Sequence, residues 1–125
     1  MLDTQISILL VDDHAVVRAG YRHLLETQGG FRQVLEAENA QEAYAVCQKE
    51  LPGLVICDIS MPEPVGLSLI QRILGRWTEA KILMFTMHNS IELARACMEA
   101  GAKGYVTKSS RPEVLLRAIG EVLAG

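Results

Sequence analysis

Short apolar runs alternate with amphipathic stretches along the whole chain. Each apolar run has the length of a strand, and most lack the polar alternation of a half-exposed strand, so we predict strands buried on both faces. These strands are Ile6 to Val11, Val34 to Ala37, Leu54 to Cys57, Ile82 to Phe85, and Tyr105 to Val106. The stretches between them predict helices at 14–27, 40–50, 66–76, 90–101 and 111–123. This alternation predicts a doubly wound α/β fold, with a parallel sheet covered by helices on both faces.

Three of the predicted helices begin with a capping pattern, in which a cap residue stands three positions before a glutamate. The pairs are Asn39 with Glu42, Asn89 with Glu92, and Ser110 with Glu113. We therefore expect these helices to begin directly after the three cap residues.

Length and composition narrow the class of protein. The chain has 125 residues, half of them hydrophobic, which predicts one domain over residues 1–125. Its 12 basic and 15 acidic residues give a net charge of −3, which argues against a surface that binds nucleic acid phosphates. Cys47, Cys57 and Cys97 show no Cys-x-x-Cys spacing and lie in apolar surroundings, so we expect buried, reduced thiols.

The segment Met1 to Gln5 contains an acidic residue where a signal peptide would be basic. No apolar run approaches the ~20 residues of a membrane span. We therefore expect a cytoplasmic protein without a membrane partner.

Polar residues follow the predicted strands at the points where these strands end. They are Asp12 and Asp13 after the first strand, Asp58 after the third, Thr86 after the fourth, and Lys108 near the end of the fifth. Ligands of open parallel sheets bind outside the carboxyl ends of the strands. We therefore expect these side chains to meet at one edge of the sheet.

Three carboxylates in one pocket repel each other, which a divalent cation relieves. Carboxylate oxygens at a solvent-accessible loop site favour Mg²⁺, whereas zinc would require Cys or His ligands, and the spacing of the histidines gives no zinc pattern. With a metal present, one carboxylate can attack a phosphoryl group while Thr86 and Lys108 contact its oxygens.

Each of these residues also has an ordinary interpretation. Asp12 or Asp13 could cap the first helix, and Asp58 could be a turn residue. Thr86 could be a β-branched strand end and Lys108 a solvated charge, and Tyr105 could simply pack against the core. The combination of all the polar residues at one edge favours a functional site.

Four segments carry a resemblance to a known family: ILLVDDHAVVRAGYRHLLE, LVICDISMP, MFTMHNS and AGAKGYVTKSS. Over essentially all 125 residues the chain resembles the receiver domains of bacterial response regulators. The first and last segments are most similar to the NarL/FixJ subfamily, whose members usually carry a C-terminal LuxR-type helix-turn-helix domain.

The resemblance implies a CheY-like sheet of strand order 2-1-3-4-5. It implies that Asp58 is the phosphoacceptor and that Asp12, Asp13, Asp58 and the backbone carbonyl of Ser60 hold Mg²⁺. It further implies that Thr86 and Lys108 contact the phosphoryl group, and that Tyr105 moves inward as Thr86 turns toward it. This movement would reshape the face formed by helix 4, strand 5 and helix 5.

The family also implies the partners. The phosphodonor would be a sensor histidine kinase or a small molecule such as acetyl phosphate. The domain would catalyse its own phosphorylation and dephosphorylation as a signalling domain, rather than act as an enzyme on other substrates. It would form a homodimer on phosphorylation, and DNA would be bound only by a C-terminal domain absent from these 125 residues.

The chain departs from the sequence pattern of the family at two places. Glu63 and Pro64 replace the pattern that the family commonly shows after its Met-Pro, which predicts a changed loop or changed kinetics. Ser109 stands where many members have a proline after the lysine.

The alternatives are a stand-alone receiver and an interaction module that does not depend on phosphorylation. A flavodoxin or nucleotide-binding protein would need a phosphate-binding loop that the chain lacks after its first strand.

Overall fold

A computed structural model describes residues 6–58, 65–87 and 89–125 of the protein. Strands and helices alternate strictly through these residues. The strands are β1 (Ser7–Val11), β2 (Gln33–Ala37), β3 (Leu54–Cys57), β4 (Ile82–Thr86) and β5 (Gly104–Thr107). The helices are α1 (Ala15–Gln28), α2 (Ala40–Glu50), α3 (Val65–Arg76), α4 (Ile91–Glu99) and α5 (Pro112–Ala124).

The strands form one parallel sheet of order β2-β1-β3-β4-β5. Its register aligns the carboxyl ends of neighbouring strands: Val11 pairs with both Ala37 and Cys57, and Thr86 pairs with Thr107. The predicted fold class and strand order are therefore confirmed. Residues that directly follow the strands share one edge of the sheet.

Side chains of β1 alternate between two buried clusters because successive strand residues point to opposite faces of a sheet. Leu9 and Val11 pack with α2, α3 and α4, and Ile8 and Leu10 pack with α1 and α5. All four are at most 3% exposed, and full burial of such side chains stabilises the fold by about 1.5–3 kcal/mol each. The absence of polar alternation in the sequence thus reflects helices on both faces.

The predicted start of α2 is confirmed. Asn39 is its N-cap, and the Asn39 side chain accepts a hydrogen bond from the backbone N–H of Glu42 at 2.8 Å. The Glu42 carboxylate accepts the backbone N–H of Glu38 at 3.0 Å. The first contact satisfies a backbone donor that the first turn of a helix leaves without a partner, and the second holds the backbone N–H of the residue before the cap.

The other two predicted helix starts are wrong by one residue. Ser90, and not Asn89, caps α4, and its hydroxyl accepts from Leu93 N–H at 3.2 Å. Helix α5 begins after Arg111 because Pro112, with its fixed φ and missing N–H, suits the first helical position. The Ser110 hydroxyl instead lies 3.2 Å from that of Thr107.

Two further predictions concern the cysteines and the possibility of a membrane-spanning helix. All three cysteines are buried and free, as predicted. None of the helices in the described part of the chain is long and apolar enough to cross a membrane. The predicted metal ligand Ser60 and the altered pair Glu63 and Pro64 lie outside the described residues.

Candidate phosphoryl and metal site

Backbone hydrogen bonds extend the sheet by one residue and hold the site residues in place. The N–H of Asp12 donates to Ala37 O at 3.0 Å, and the N–H of Asp58 donates to Val11 O at 3.0 Å. The N–H of Lys108 donates to the carbonyl of Thr86 at 2.7 Å. The side chains that follow β1, β3 and β5 are therefore fixed at the same edge.

Lys108 joins the two buried carboxylates at this edge. Its Nζ donates to Oδ2 of Asp58 at 2.8 Å and also forms a short ion pair with the carboxylate of Asp12. The side chains of Lys108, Asp12 and Asp58 are only 6%, 8% and 2% exposed. One ammonium group between two carboxylates leaves a net negative charge in a poorly solvated place, which favours binding of a cation.

Burial by itself lowers the pKa of Lys108, because desolvation disfavours the charged amine. The hydrogen bonds to Asp12 and Asp58 outweigh desolvation, so the pKa of Lys108 is raised above its ordinary value. Lys108 is therefore positively charged at neutral pH and can face an anionic group.

Asp13 is linked to Asp12 by the side chain of His14, which contacts both aspartates. Nδ1 of His14 lies 3.0 Å from Oδ1 of Asp13 and 3.2 Å from Oδ1 of Asp12. The backbone N–H of His14 also donates to Oδ1 of Asp12 at 2.8 Å. Neither aspartate is the N-cap of α1, since His14 occupies that position without a side-chain capping bond. The capping interpretation of Asp12 and Asp13 is therefore wrong.

Thr86 ends β4 and is fully buried. Its backbone carbonyl accepts from Lys108, which places Thr86 beside the lysine-bearing end of β5. Tyr105 lies on β5 opposite Met84 and packs, partly buried, against the cluster shared with α3 and α4. Burial raises the pKa of the Tyr105 phenol. Both proposed switch residues thus lie on adjacent strands.

Arg18 supports the loop after β1, a role that the local sequence pattern does not predict. Its guanidinium donates to the backbone carbonyl of Asp12 and, through Nε, to Oε1 of Glu36 at 2.7 Å. Arg22 donates to the other oxygen of Glu36, also at 2.7 Å. The hydrogen bond from Arg22 is the largest effect that lowers the pKa of Glu36, and the bond from Arg18 adds to it.

The donor atoms of this edge suit a hard divalent cation. One atom each from Asp12, His14 and Asp58 lie within 4.8 Å of one another, so a single ion could contact all three after small movements. Magnesium usually takes one or two carboxylates and completes its shell with water and phosphate oxygens. The residues present therefore fit Mg²⁺.

A parallel sheet of order 2-1-3-4-5 whose carboxyl edge carries a buried Asp, Asp and Lys defines a CheY-like α/β domain. The chain belongs to the response regulator receiver domain family, whose model matches residues 8–120. The resemblance inferred from the four sequence segments is therefore confirmed.

The chain is also similar to solved structures of response regulators. A LuxR-family two-component response regulator from Aurantimonas sp. SI85-9A1 superposes with a TM-score of 0.91 and is 45% identical, covering 97% of this chain and 86% of that chain. A CheY-like receiver domain protein from Methanospirillum hungatei JF-1 gives a TM-score of 0.86 at 30% identity, covering 96% of this chain and 94% of that chain.

Among the curated proteins, the transcriptional activator protein ExaE of Pseudomonas putida is 40% identical over 96% of this chain and 56% of its own length. The response regulator UvrY of Escherichia coli K12 is 38% identical over 96% of this chain and 55% of its own length. The chain thus spans about half the length of the curated relatives it matches.

Proposed function

We propose that this domain accepts a phosphoryl group on Asp58 and controls a transcriptional output domain. The observation that carries the proposal is the bridge from Lys108 Nζ to the carboxylates of Asp12 and Asp58. It brings the carboxylate that would act as nucleophile, a second acid and a positive charge to one point of the sheet edge.

Asp12, Asp13 and Asp58, with the backbone carbonyl of Ser60, would hold Mg²⁺. When bound, the ion supplies charge that offsets the carboxylates and stabilises negative charge on the phosphoryl oxygens. Ser60 lies outside the described residues, so its part in the proposal rests on the family alone.

A carboxylate oxygen of Asp58 attacks the phosphorus of the donor, and a new O–P bond forms as the bond to the donor breaks. The leaving group, an imidazole of a sensor histidine kinase or the acetate of acetyl phosphate, departs with the electron pair of the broken bond. Lys108 then pairs with one phosphoryl oxygen and the hydroxyl of Thr86 donates to another. Hydrolysis of the acyl phosphate on the same residues returns the domain to its starting state.

We propose a switch that couples Thr86, which is buried, to Tyr105, which is partly buried. If the Thr86 hydroxyl turns toward the phosphoryl group, space opens on the side of the sheet where Tyr105 packs, and the ring moves inward. The face of α4, β5 and α5 changes shape, which selects a second packing of similar energy. We propose that this face forms the homodimer of the phosphorylated protein.

The relatives extend the proposal beyond the 125 residues. ExaE is a transcriptional activator protein and UvrY a response regulator, and each is nearly twice as long as the matched segment. We propose a sensor histidine kinase as the donor, a LuxR-type DNA-binding domain as the output, and the cytoplasm as the location.

Intact mass after incubation with acetyl phosphate tests the proposal. The wild-type domain should gain one phosphoryl group with Mg²⁺ and none after chelation. Asp58→Asn should gain none, whereas Glu99→Gln, an exposed acid at the end of α4, should behave as wild type. If neither acetyl phosphate nor a panel of histidine kinases adds a phosphoryl group, the domain acts as an interaction module independent of phosphorylation.

A further inference from the structure

Arg18 of α1 connects the loop after β1 to the edge strand β2. Its guanidinium donates through Nη1 to the backbone carbonyl of Asp12, and through Nε to Oε1 of Glu36 at 2.7 Å. The side chains of Arg18 and Glu36 are 13% and 24% exposed, so both bonds are largely shielded from water. One planar group of donors therefore joins β2 to the residue that directly follows β1.

The backbone of Asp12 is held on both sides. Its N–H donates to the carbonyl of Ala37 on β2, and its carbonyl accepts from Arg18. Arg18 is in turn fixed by Glu36, the residue of β2 that precedes Ala37. The peptide group that follows Asp12 is therefore held in one orientation, with β2 as the support on both sides.

The orientation of this peptide matters for the proposed phosphoacceptor. The Asp12 carboxylate shares the ammonium group of Lys108 with Asp58, so a rotated Asp12 backbone would move a charge that lies beside the nucleophile. Arg18 also lines one small cavity together with Asp12 and Asp58. It therefore approaches the acceptor from the face of the sheet that α1 covers.

The geometry points to Arg18 as a positioning residue that holds the Asp12 peptide in the orientation required for phosphoryl transfer to and from Asp58. The inference rests on the proposed function, because it takes Asp58 as the phosphoacceptor. Arg18 exchanges no proton, since a guanidinium stays protonated in proteins. It acts through the direction of the Asp12 and Asp13 side chains, and a misplacement of about 1 Å at a reacting centre can slow a reaction about 100-fold.

Arg22 offers a matched control on the same helix. It donates to Oε2 of Glu36 at 2.7 Å, so it belongs to the same group of ion pairs between α1 and β2. Among the described residues Arg22 bonds to Glu36 and Glu26, and not to Asp12. Its removal therefore weakens the contact of α1 with β2 and leaves the Asp12 carbonyl with its donor.

The test compares wild type with Arg18→Gln and Arg22→Gln during phosphorylation by acetyl phosphate at saturating Mg²⁺, followed by intact mass. Phosphorylation should be about tenfold slower or more in Arg18→Gln, and within about twofold of wild type in Arg22→Gln. Hydrolysis of the acyl phosphate, measured after removal of the donor, should slow in Arg18→Gln alone. In that step water attacks the phosphorus, and the Asp58 carboxylate leaves with the electrons of the broken O–P bond.

Arg18→Lys separates positioning from support of the fold. Its ammonium group keeps the charge beside Glu36 but lacks the planar set of donors that reaches two acceptors at once. Urea unfolding of Arg18→Lys should therefore stay close to that of wild type, while its phosphorylation stays as slow as that of Arg18→Gln. A purely structural role predicts instead that stability and rate recover together.

Two results would overturn the inference and leave the proposed function intact. They are a wild-type rate of phosphorylation in Arg18→Lys, and an equal slowing in Arg22→Gln. Both can be read even if Arg18→Gln does not fold. If wild type gains no phosphoryl group from acetyl phosphate or from histidine kinases, the proposed function itself is wrong and the role of Arg18 fails with it.

Discussion

Lys108 and Asp58 are 50 residues apart in sequence, yet Nζ of the lysine donates to Oδ2 of the aspartate at 2.8 Å. Both side chains are almost fully buried, and Asp12 shares the same ammonium group. Two carboxylates and one amine are therefore buried together at the carboxyl edge of the sheet. Each member depends on the others for the compensation of its charge.

Removal of this amine should destabilise the domain in the absence of a divalent cation. Lys108→Met leaves the Asp12 and Asp58 carboxylates without their shared counter-charge, and the free energy of unfolding should fall by about 2–4 kcal/mol at neutral pH. Urea denaturation followed by circular dichroism measures the change. Added Mg²⁺ should restore part of the loss, because it replaces the missing positive charge.

The double variant Asp58→Asn/Lys108→Met separates charge from packing. With only one carboxylate left without its lysine partner, it should be more stable than Lys108→Met alone. Equal losses in the two variants would mean that the methylene groups of Lys108, rather than its charge, support the fold.

The ion pairs of Glu36 should make stability depend on acid pH. The pKa of Glu36 is lowered by hydrogen bonds from Arg22 and Arg18, so this contribution is complete above the unfolded pKa of about 4.3. It is lost as the pH falls through the folded pKa. Glu36→Gln should therefore reduce the free energy of unfolding by about 1 kcal/mol at neutral pH, and less as the solution becomes more acidic.

Denaturant titrations of both proteins between about pH 7 and pH 3 measure this convergence. Glu26→Gln is the matched control, because Glu26 contacts Arg22 at the helix surface with both side chains about half exposed. A difference between wild type and Glu36→Gln that stays constant down to pH 3 would contradict an electrostatic role for Glu36.

The fold and the centre of the site could be predicted from the sequence, because parallel strands bring their carboxyl ends together whatever their order. Asp12, Asp58 and Lys108 follow apolar runs and could only meet at that edge. The contacts of His14 and Arg18 could not be predicted. They depend on the rotation of α1 over the sheet and on the position of β2, which the local pattern does not contain.

The first residues of α4 and α5 were also predicted only approximately from the sequence. Asn89 and Ser90 are adjacent and both are good N-cap residues, so composition alone cannot choose between them. Ser90 is the residue whose hydroxyl accepts the backbone N–H of Leu93 in the folded chain. At α5 the sequence did contain the deciding signal, since Pro112 fixes the first helical position.

The cysteines should be inert in the folded domain. Burial raises the pKa of Cys47 to about 11 and also raises that of Cys57, which directly precedes Asp58. A thiol that is both buried and protonated does not react, because the thiolate is the nucleophile. At about pH 8 a thiol-reactive dye should label none of the three cysteines in the native protein, and all three in denaturant. Rapid native labelling would show that the cluster around Cys47, Cys57 and Cys97 opens readily.

Gly101, which follows α4, should not tolerate a side chain. Its φ of +116° is a conformation that residues with a Cβ rarely adopt, and an added Cβ would overlap Cδ1 of Leu74. Gly101→Ala should lower the free energy of unfolding by about 1–3 kcal/mol. Gly75→Ala is the control, because Gly75 lies in α3 with no neighbouring atom within 4 Å of its added Cβ.

Alanine at position 75 should leave stability unchanged or raise it by up to about 1 kcal/mol, since alanine favours helix more than glycine does. Thermal and urea unfolding of the two variants beside wild type give the comparison. A loss confined to Gly101→Ala would show that the turn after α4 requires glycine, for its positive φ and for its close approach to Leu74 of α3. Equal behaviour of the two variants would mean that the turn after α4 adapts to a side chain, and that the approach of α3 to α4 does not require glycine.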